Sequence, residues 1–237
     1  MCKEIPSDSP VSRRSLLKMA GVAGAGALAG AGIPGTLYAD EPPPLPADAN
    51  PDQALQALMA GNKRFMAGKE NSPNRTLKRL QQLGEKQAPY ASILGCADSR
   101  VPVELLFDTG FGDVFVCRAA GNIATPQIIG SLEYGTIVLG SRVLMVLGHT
   151  GCGAVSATLK GDTVPGLIGS LYPYIYPSIR QAQSKDLNTV VAQNVRHQVD
   201  LLTHASPVIR DLTREKKLRV VGAVFDFHDG KVSLVDA

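Results

Sequence analysis

Two short fragments concentrate the soft and charged side chains of this sequence: GCADSR at residues 95–100 and GHTGCG at residues 148–153. Each closes an apolar run, placing Cys96, Asp98 and Arg100 at one strand end and His149 and Cys152 at another. The chain holds only four Cys and four His, so three of them in two such fragments needs a reason. One His and two Cys can supply the three nitrogen and sulfur ligands of a catalytic zinc site, with a fourth position open for water. Taken alone, C-x-D-x-R and H-x-x-C are weak signals. Together, with Cys96 and His149 53 residues apart at the ends of two apolar runs, they are a much stronger one.

Such convergence requires elements that bring the two fragments together. Four short runs rich in Val, Ile and Leu lack clean alternation: YASILGC (90–96), DVFVCR (113–118), RVLMVLGH (142–149) and LRVVGAVF (218–225). Runs of this kind suit strands buried on both faces, as in a parallel sheet. Helical stretches separate them, at about Pro126 to Leu139, Cys152 to Leu159, Val164 to Gln183, Leu187 to Thr203 and Pro207 to Glu215. Upstream, Asn50 and Pro51 form a good N-cap and first turn for a helix running through Lys69, and a second helix fits Thr76 to Leu83. This order predicts an α/β fold: a mostly parallel β-sheet of four to five strands with helices on both faces. Ligands of such sheets bind at the carboxyl ends of the strands. If the first and third strands are neighbours, Cys96, His149 and Cys152 meet there.

Charge and composition narrow the partners. The overall charge of +3 includes a net +2 in residues 1–39, which leaves +1 for the remainder. Without a Lys/Arg stripe or interleaved aromatics, there is no electrostatic reason to expect a nucleic-acid partner. SRRSLLK (12–18) followed by MAGVAGAGALAGAGI (19–33) reads as an export signal. Its 15 uncharged residues fall short of the ~20 needed to span a bilayer. Paired arginines before a weakly hydrophobic Ala/Gly run resemble a twin-arginine signal, with cleavage expected near Ala39 and a periplasmic destination; an uncleaved anchor is the alternative. That route uses the twin-arginine translocase and carries proteins already folded, often around a cofactor. The domain plan is therefore a signal at 1–39, a Pro-rich tether at 40–49 and a folded domain at 50–237.

CADSRVP (96–102) with GHTGCGAV (148–155) resembles the β-class carbonic anhydrase family. The likeness extends to GNKRF (61–65), VCRAAGN (116–122), GSLEYG (130–135) and GAVFDFHDGKV (222–232). It implies one Zn²⁺ per chain held by Cys96, His149 and Cys152, a catalytic dyad of Asp98 and Arg100, and zinc-dependent reversible hydration of carbon dioxide to bicarbonate and a proton. It also implies a homodimer or higher even oligomer, in which an N-terminal helical arm embraces the partner. In plant-like members of this family, residues at the positions of Gln87, Phe115 and Tyr134 bind or wall the substrate pocket, some of them across the dimer interface. Ala120, where those relatives carry Val, and Gly153 complete the expected pocket.

The chemistry of this set is coherent. Water must lose a proton before attacking CO₂, and zinc on three protein ligands can bring its pKa to ~7. Two thiolates cancel the formal charge of the metal, so zinc-bound hydroxide should form at somewhat higher pH than on an all-imidazole site. Asp98 can accept a hydrogen bond from that hydroxide and aim its lone pair, while Arg100 keeps the carboxylate ionised and oriented. Some bacterial relatives switch off by swinging this aspartate onto zinc, assisted by bicarbonate near a tryptophan. This chain has no Trp; Ile93 takes that position, although Arg118 is retained. An open arrangement with Asp98 paired to Arg100 is expected.

Other candidates carry less. Cys117 within a strand reads as a small buried hydrophobe, and His197 and His204, seven residues apart on a helix, have no Cys or carboxylate to complete a metal set. His228 reads as a hairpin-turn residue, and the G-x-G spacings of residues 21–32 follow no strand and so do not bind a dinucleotide. Two alternatives stay open at this level. One is hydrolysis of CS₂ or COS by the same ligand set; the other is a zinc-storage or thiol-redox protein in which Cys96 and Cys152 close as a disulfide, for which Asp98 and Arg100 have no use.

Overall fold

In the computed structural model, the residues described are 45 and 49–236. The expected export signal, and all of the tether except Leu45 and Ala49, lie outside the described residues. Helix α1 (Pro51–Met66) begins as its sequence requires: Asn50 Oδ1 accepts from the Gln53 N–H at 2.9 Å and Gln53 Oε1 accepts from the Asn50 N–H at 2.8 Å, a reciprocal cap ahead of Pro51. It stops short of Lys69 because the chain turns at Gly68 with φ of 60°. Helix α2 (Leu77–Gln82) follows, capped by Thr76.

Five strands form one sheet in the order β2-β1-β3-β4-β5. They are β1 (Ala91–Gly95), β2 (Val114–Arg118), β3 (Val143–His149), β4 (Arg219–Phe225) and β5 (Val232–Val235). The first four run parallel, and β5 returns antiparallel to β4 through a hairpin whose turn contains His228, as expected. β1 and β3 are neighbours, with Gly95 opposite Leu147, so Cys96 and His149 leave the same edge of the sheet.

Helices cover both faces. On one, α1 buries Ala54, Leu55 and Leu58 against Ile93, Met145 and Ala223, together with Leu106 of the short α3 (Val103–Leu106). On the other lie α4 (Pro126–Glu133), α7 (Leu187–Ala205) and α8 (Pro207–Arg214), whose Leu132, Val195 and Ile209 pack on Leu94, Leu144 and Val146. Near the carboxyl edge, α5 (Gly153–Lys160), α6 (Tyr172–Gln181) and α7 enclose a third cluster around Cys96, Cys152, Val155 and Ile175. Gly148 lets α7 approach: a Cβ there would lie 2.6 Å from Val195 Cγ2.

Two expected helices change form. The stretch from Pro126 is α-helical only to Glu133 and continues as a π-helical turn over Tyr134–Val138. The expected helix from Val164 begins only at Tyr172, after a 3₁₀ turn at Ile168–Leu171. Pro165, Gly166 at φ of 59°, and Pro173, which suits the first turn of a helix and not its interior, account for the late start. Among the described residues no helix is long and apolar enough to cross a membrane.

Candidate metal centre

Cys96 follows β1 directly, His149 ends β3, and Cys152 is the N-cap residue of α5. Their ligating atoms all lie within 4.8 Å of one another, and all three side chains are buried. Gly151, with φ of 67°, turns the chain between His149 and Cys152. The Cys96 sulfur accepts the Gly121 N–H at 3.3 Å, in a turn where Gly121 sits at φ of 75°.

The protonation pattern is that of a ligand set. His149 Nδ1 lies 3.0 Å from the Thr150 carbonyl oxygen, which can only accept, so the proton sits on Nδ1. Nε2 is left as a buried lone pair with no hydrogen-bond partner. The neighbouring Cys152 thiol pulls Cys96 down to about 4 against the effect of burial, while Cys152 itself is pushed up by Cys96 and by burial. The pair therefore favours one thiolate beside one thiol, and a bound cation would favour the thiolate form of both. Two sulfurs and one imidazole nitrogen, gathered this closely and buried, are the donor set of a tetrahedral zinc site with one position left over. The residues present fit zinc.

At the edge of the cluster Asp98 and Arg100 form a two-point pair. Arg100 Nε donates to Asp98 Oδ1 at 3.0 Å and Nη2 to Oδ2 at 2.8 Å, while the Arg100 backbone N–H reaches Oδ1 at 2.9 Å. These bonds hold the Asp98 carboxyl well below the usual carboxylate range, outweighing its desolvation. Asp98 Oδ2 stands 3.8 Å from His149 Nε2, so the carboxylate faces the centre while both its oxygens stay bonded to Arg100. Arg118 secures the loop from behind, donating to the carbonyls of Cys96 at 2.9 Å and Asp98 at 2.6 Å. Ile93 is wholly buried among apolar side chains, and the pairing of Asp98 with Arg100 is the open arrangement.

The remaining expected site residues divide. Ala120 lies beside Gly121 in the 3₁₀ turn Ala120–Asn122, and Gly153 is the exposed first residue of α5, both next to the ligands. Phe115 and Tyr134 pack together at 6.4 Å between ring centroids, but Phe115 pairs with Ser92, while Gly95 pairs with Arg118. That is four residues, or about 13 Å, back along the strand from Cys96. Gln87 is exposed ahead of the amino end of β1. Within one chain these three do not meet the cluster.

Phe227, Thr150 and Gly121 touch the site without having been singled out. The Phe227 ring lies 5.0 Å from that of His149 and 4.2 Å from the guanidinium carbon of Arg100. Its place inside GAVFDFHDGKV, a segment that carried the resemblance, was the available signal. Cys117 is a buried free thiol, and His197 and His204 gather no ligand set among the described residues.

A family model described as carbonic anhydrase matches residues 91–232. A carbonic anhydrase of Mycolicibacterium smegmatis is 37% identical over 194 residues, spanning 79% of this chain and 94% of that protein. The solved structure of the β-carbonic anhydrase CcaA is 27% identical with a TM-score of 0.62, over 77% of this chain and 87% of its own. A tetrameric β-carbonic anhydrase from the ascomycete Sordaria macrospora shares the fold, with a TM-score of 0.63 at 22% identity over 77% of this chain and 97% of its own. With its sheet order, its buried Cys–His–Cys cluster and these likenesses, the chain belongs to the β-class carbonic anhydrase family.

Proposed function

We propose that this enzyme, a lyase, catalyses the reversible hydration of carbon dioxide to bicarbonate and a proton at a zinc ion held by Cys96, His149 and Cys152. The observation that carries this reading is the buried Cys–His–Cys cluster with the Asp98–Arg100 pair at its open edge. Zinc held there would lower the pKa of water by several units from its bulk value and so supply the nucleophile. The protein does the aiming. Held ionised, Asp98 can only accept a hydrogen bond, so it fixes the single proton of the attacking oxygen and turns a lone pair toward the carbon of CO₂. Arg100 keeps both carboxylate oxygens in place, and Arg118 fixes the backbone that presents them. Stopped-flow measurement of CO₂ hydration beside CS₂ hydrolysis, on protein of known zinc content, tests the reading; turnover of CS₂ alone would contradict it.

The active form is a homodimer or higher even oligomer. Tyr134, Ile137 and Val138 are exposed side by side on one π-helical turn, which suits a protein–protein contact. Gln87, Phe115 and Tyr134 lie away from the cluster of their own chain, so a second copy is what could bring them to a substrate pocket. Sedimentation of the full chain tests this, with a concentration-independent monomer contradicting it. Export through the twin-arginine translocase to the periplasm, with cleavage near Ala39, rests on Arg13 and Arg14 ahead of the Ala/Gly run. Replacing both with Lys should leave the protein in the cytoplasm, and unimpaired export of that variant would contradict the route.

A further inference from the structure

Arg100 must hold Asp98 at two points, yet its side chain is 60% exposed. Exposed ion pairs are weak, because water competes and two long side chains lose rotamer freedom. The structure gives this arginine a third contact. Its guanidinium carbon lies 4.2 Å above the centroid of the Phe227 ring. That ring is itself fixed: it meets the His149 imidazole at 5.0 Å with a 45° tilt and the Phe225 ring edge-on at 5.4 Å.

Backbone bonds tie the same groups into one corner. The Phe227 N–H donates to Thr150 Oγ1 at 3.2 Å, the Thr150 N–H donates to the Phe225 carbonyl at 2.9 Å, and the Thr150 carbonyl accepts the His149 Nδ1 proton at 3.0 Å. The ends of β3 and β4 therefore set the imidazole and the phenyl ring together, and the phenyl face sets the guanidinium.

We propose that Phe227 is a positioning residue of the active site, whose aromatic face holds Arg100 and through it keeps the Asp98 carboxylate aimed at the metal centre. The attraction is between a cation and the negative face of a ring. An aliphatic side chain of similar size would cover the same surface without it. The effect on turnover rests on the carbonic anhydrase reading; the packing of Phe227 on Arg100 does not.

The test uses the full-length, zinc-loaded protein and its Phe227→Leu and Phe227→Tyr variants. Phe227→Leu should lose about tenfold in kcat/KM for CO₂ hydration with zinc content and melting temperature unchanged, and Phe227→Tyr, which restores the aromatic face, should stay within about twofold. In an Arg100→Ala background, Phe227→Leu should add no further loss. Unchanged kcat/KM in Phe227→Leu, an equal loss in Phe227→Tyr, or a loss that tracks departed zinc would each overturn the proposal. Should Phe227→Leu fail to fold, the wild-type NMR spectrum decides: the Arg100 Nε–H resonance should be moved upfield by the ring and exchange slowly, and an unshifted, fast-exchanging resonance overturns it. Wild-type protein with full zinc and no CO₂ hydration would instead contradict the carbonic anhydrase reading, while the Arg100 resonance would still report the packing.

Discussion

Arg100 grips Asp98 through both carboxylate oxygens, at 3.0 and 2.8 Å, and leaves the carboxylate 3.8 Å from the unpartnered Nε2 of His149. The pair thus divides its labour, one residue keeping the charge and orientation of a group that the other points at the centre. Asp98→Asn keeps the shape but offers a donor where an acceptor is needed. We expect zinc to stay bound while kcat/KM for CO₂ hydration falls by about 10²-fold or more, as for other misplaced reacting groups. Wild-type rates at full zinc would remove Asp98 from the mechanism.

Cys152 supplies one of three ligands from a buried N-cap position. Changing it to Ser replaces a soft thiolate with a hydroxyl that does not ionise near neutral pH, so most of the zinc should be lost. Elemental analysis after gel filtration checks this, with about one zinc per wild-type chain as the reference. A variant that kept full zinc and activity would refute the ligand set.

Bicarbonate should not inhibit this enzyme cooperatively. A ligand shifts a two-state equilibrium only through different affinities for the two states. Here Ile93 is an apolar, wholly buried side chain with no donor for an anion, and Arg118 is engaged with the carbonyls of Cys96 and Asp98. Rates measured against bicarbonate at fixed ionic strength should show no sigmoidal inhibition; a steep sigmoid would contradict the open arrangement.

A buried carboxylate away from the site ties stability to pH on the acid side. Asp108 has no exposed side-chain surface, and it accepts from Arg64 Nε at 2.6 Å and from the N–H groups of Asn71 and Ser72 at 3.0 and 2.8 Å. Burial pushes its pKa up, but the Arg64 bond and the two backbone donors outweigh that and hold it below the ordinary value. A carboxylate whose folded pKa is depressed contributes stability above its unfolded pKa of about 3.9 and loses it as pH falls through the folded value. Asp108→Asn should therefore cost about 1–3 kcal/mol at pH 7, where the Arg64 cation loses its charged partner and an NH₂ group replaces one of the two acceptor oxygens. Urea unfolding should show that gap narrowing below about pH 4; a gap that stays constant down to pH 2 would contradict the assignment.

Gly148 tests the packing beneath the histidine. A Cβ there meets Val195 Cγ2 at 2.6 Å, so Gly148→Ala must push α7 from the sheet directly beside His149. A loss of about 1–3 kcal/mol, typical of overpacking, is expected in thermal or urea unfolding. No change in stability would mean that α7 sits further from β3.

Much of the site was legible because its ligands interrupt an otherwise apolar code. Runs of Val, Ile and Leu buried on both faces announce parallel strands, and Cys96 and His149 stand where the runs stop. What the linear order hides is whatever depends on backbone direction. The Gly121 N–H meets Cys96 from a turn with a positive φ, and Phe227 after β4 meets Arg100 after β1 only because β3 pairs with both strands. The late start of α6 was hidden differently: Val164 to Gln183 has helical spacing, but Pro165, Gly166 and Pro173 delay the first full turn to Tyr172. Gln87, Phe115 and Tyr134 show a further limit, since residue type does not reveal that they lie away from the cluster of their own chain.

The central claim is that the Cys96–His149–Cys152 cluster holds zinc and that the centre so formed hydrates CO₂. Stopped-flow hydration at pH 8 on the full-length protein, with zinc counted in the same sample, tests it most directly. The account predicts about one zinc per chain and a rate proportional to zinc occupancy, abolished by chelation and restored on adding the metal back. Protein with a full complement of zinc on these three residues, but hydrating CO₂ no faster than buffer, would contradict it.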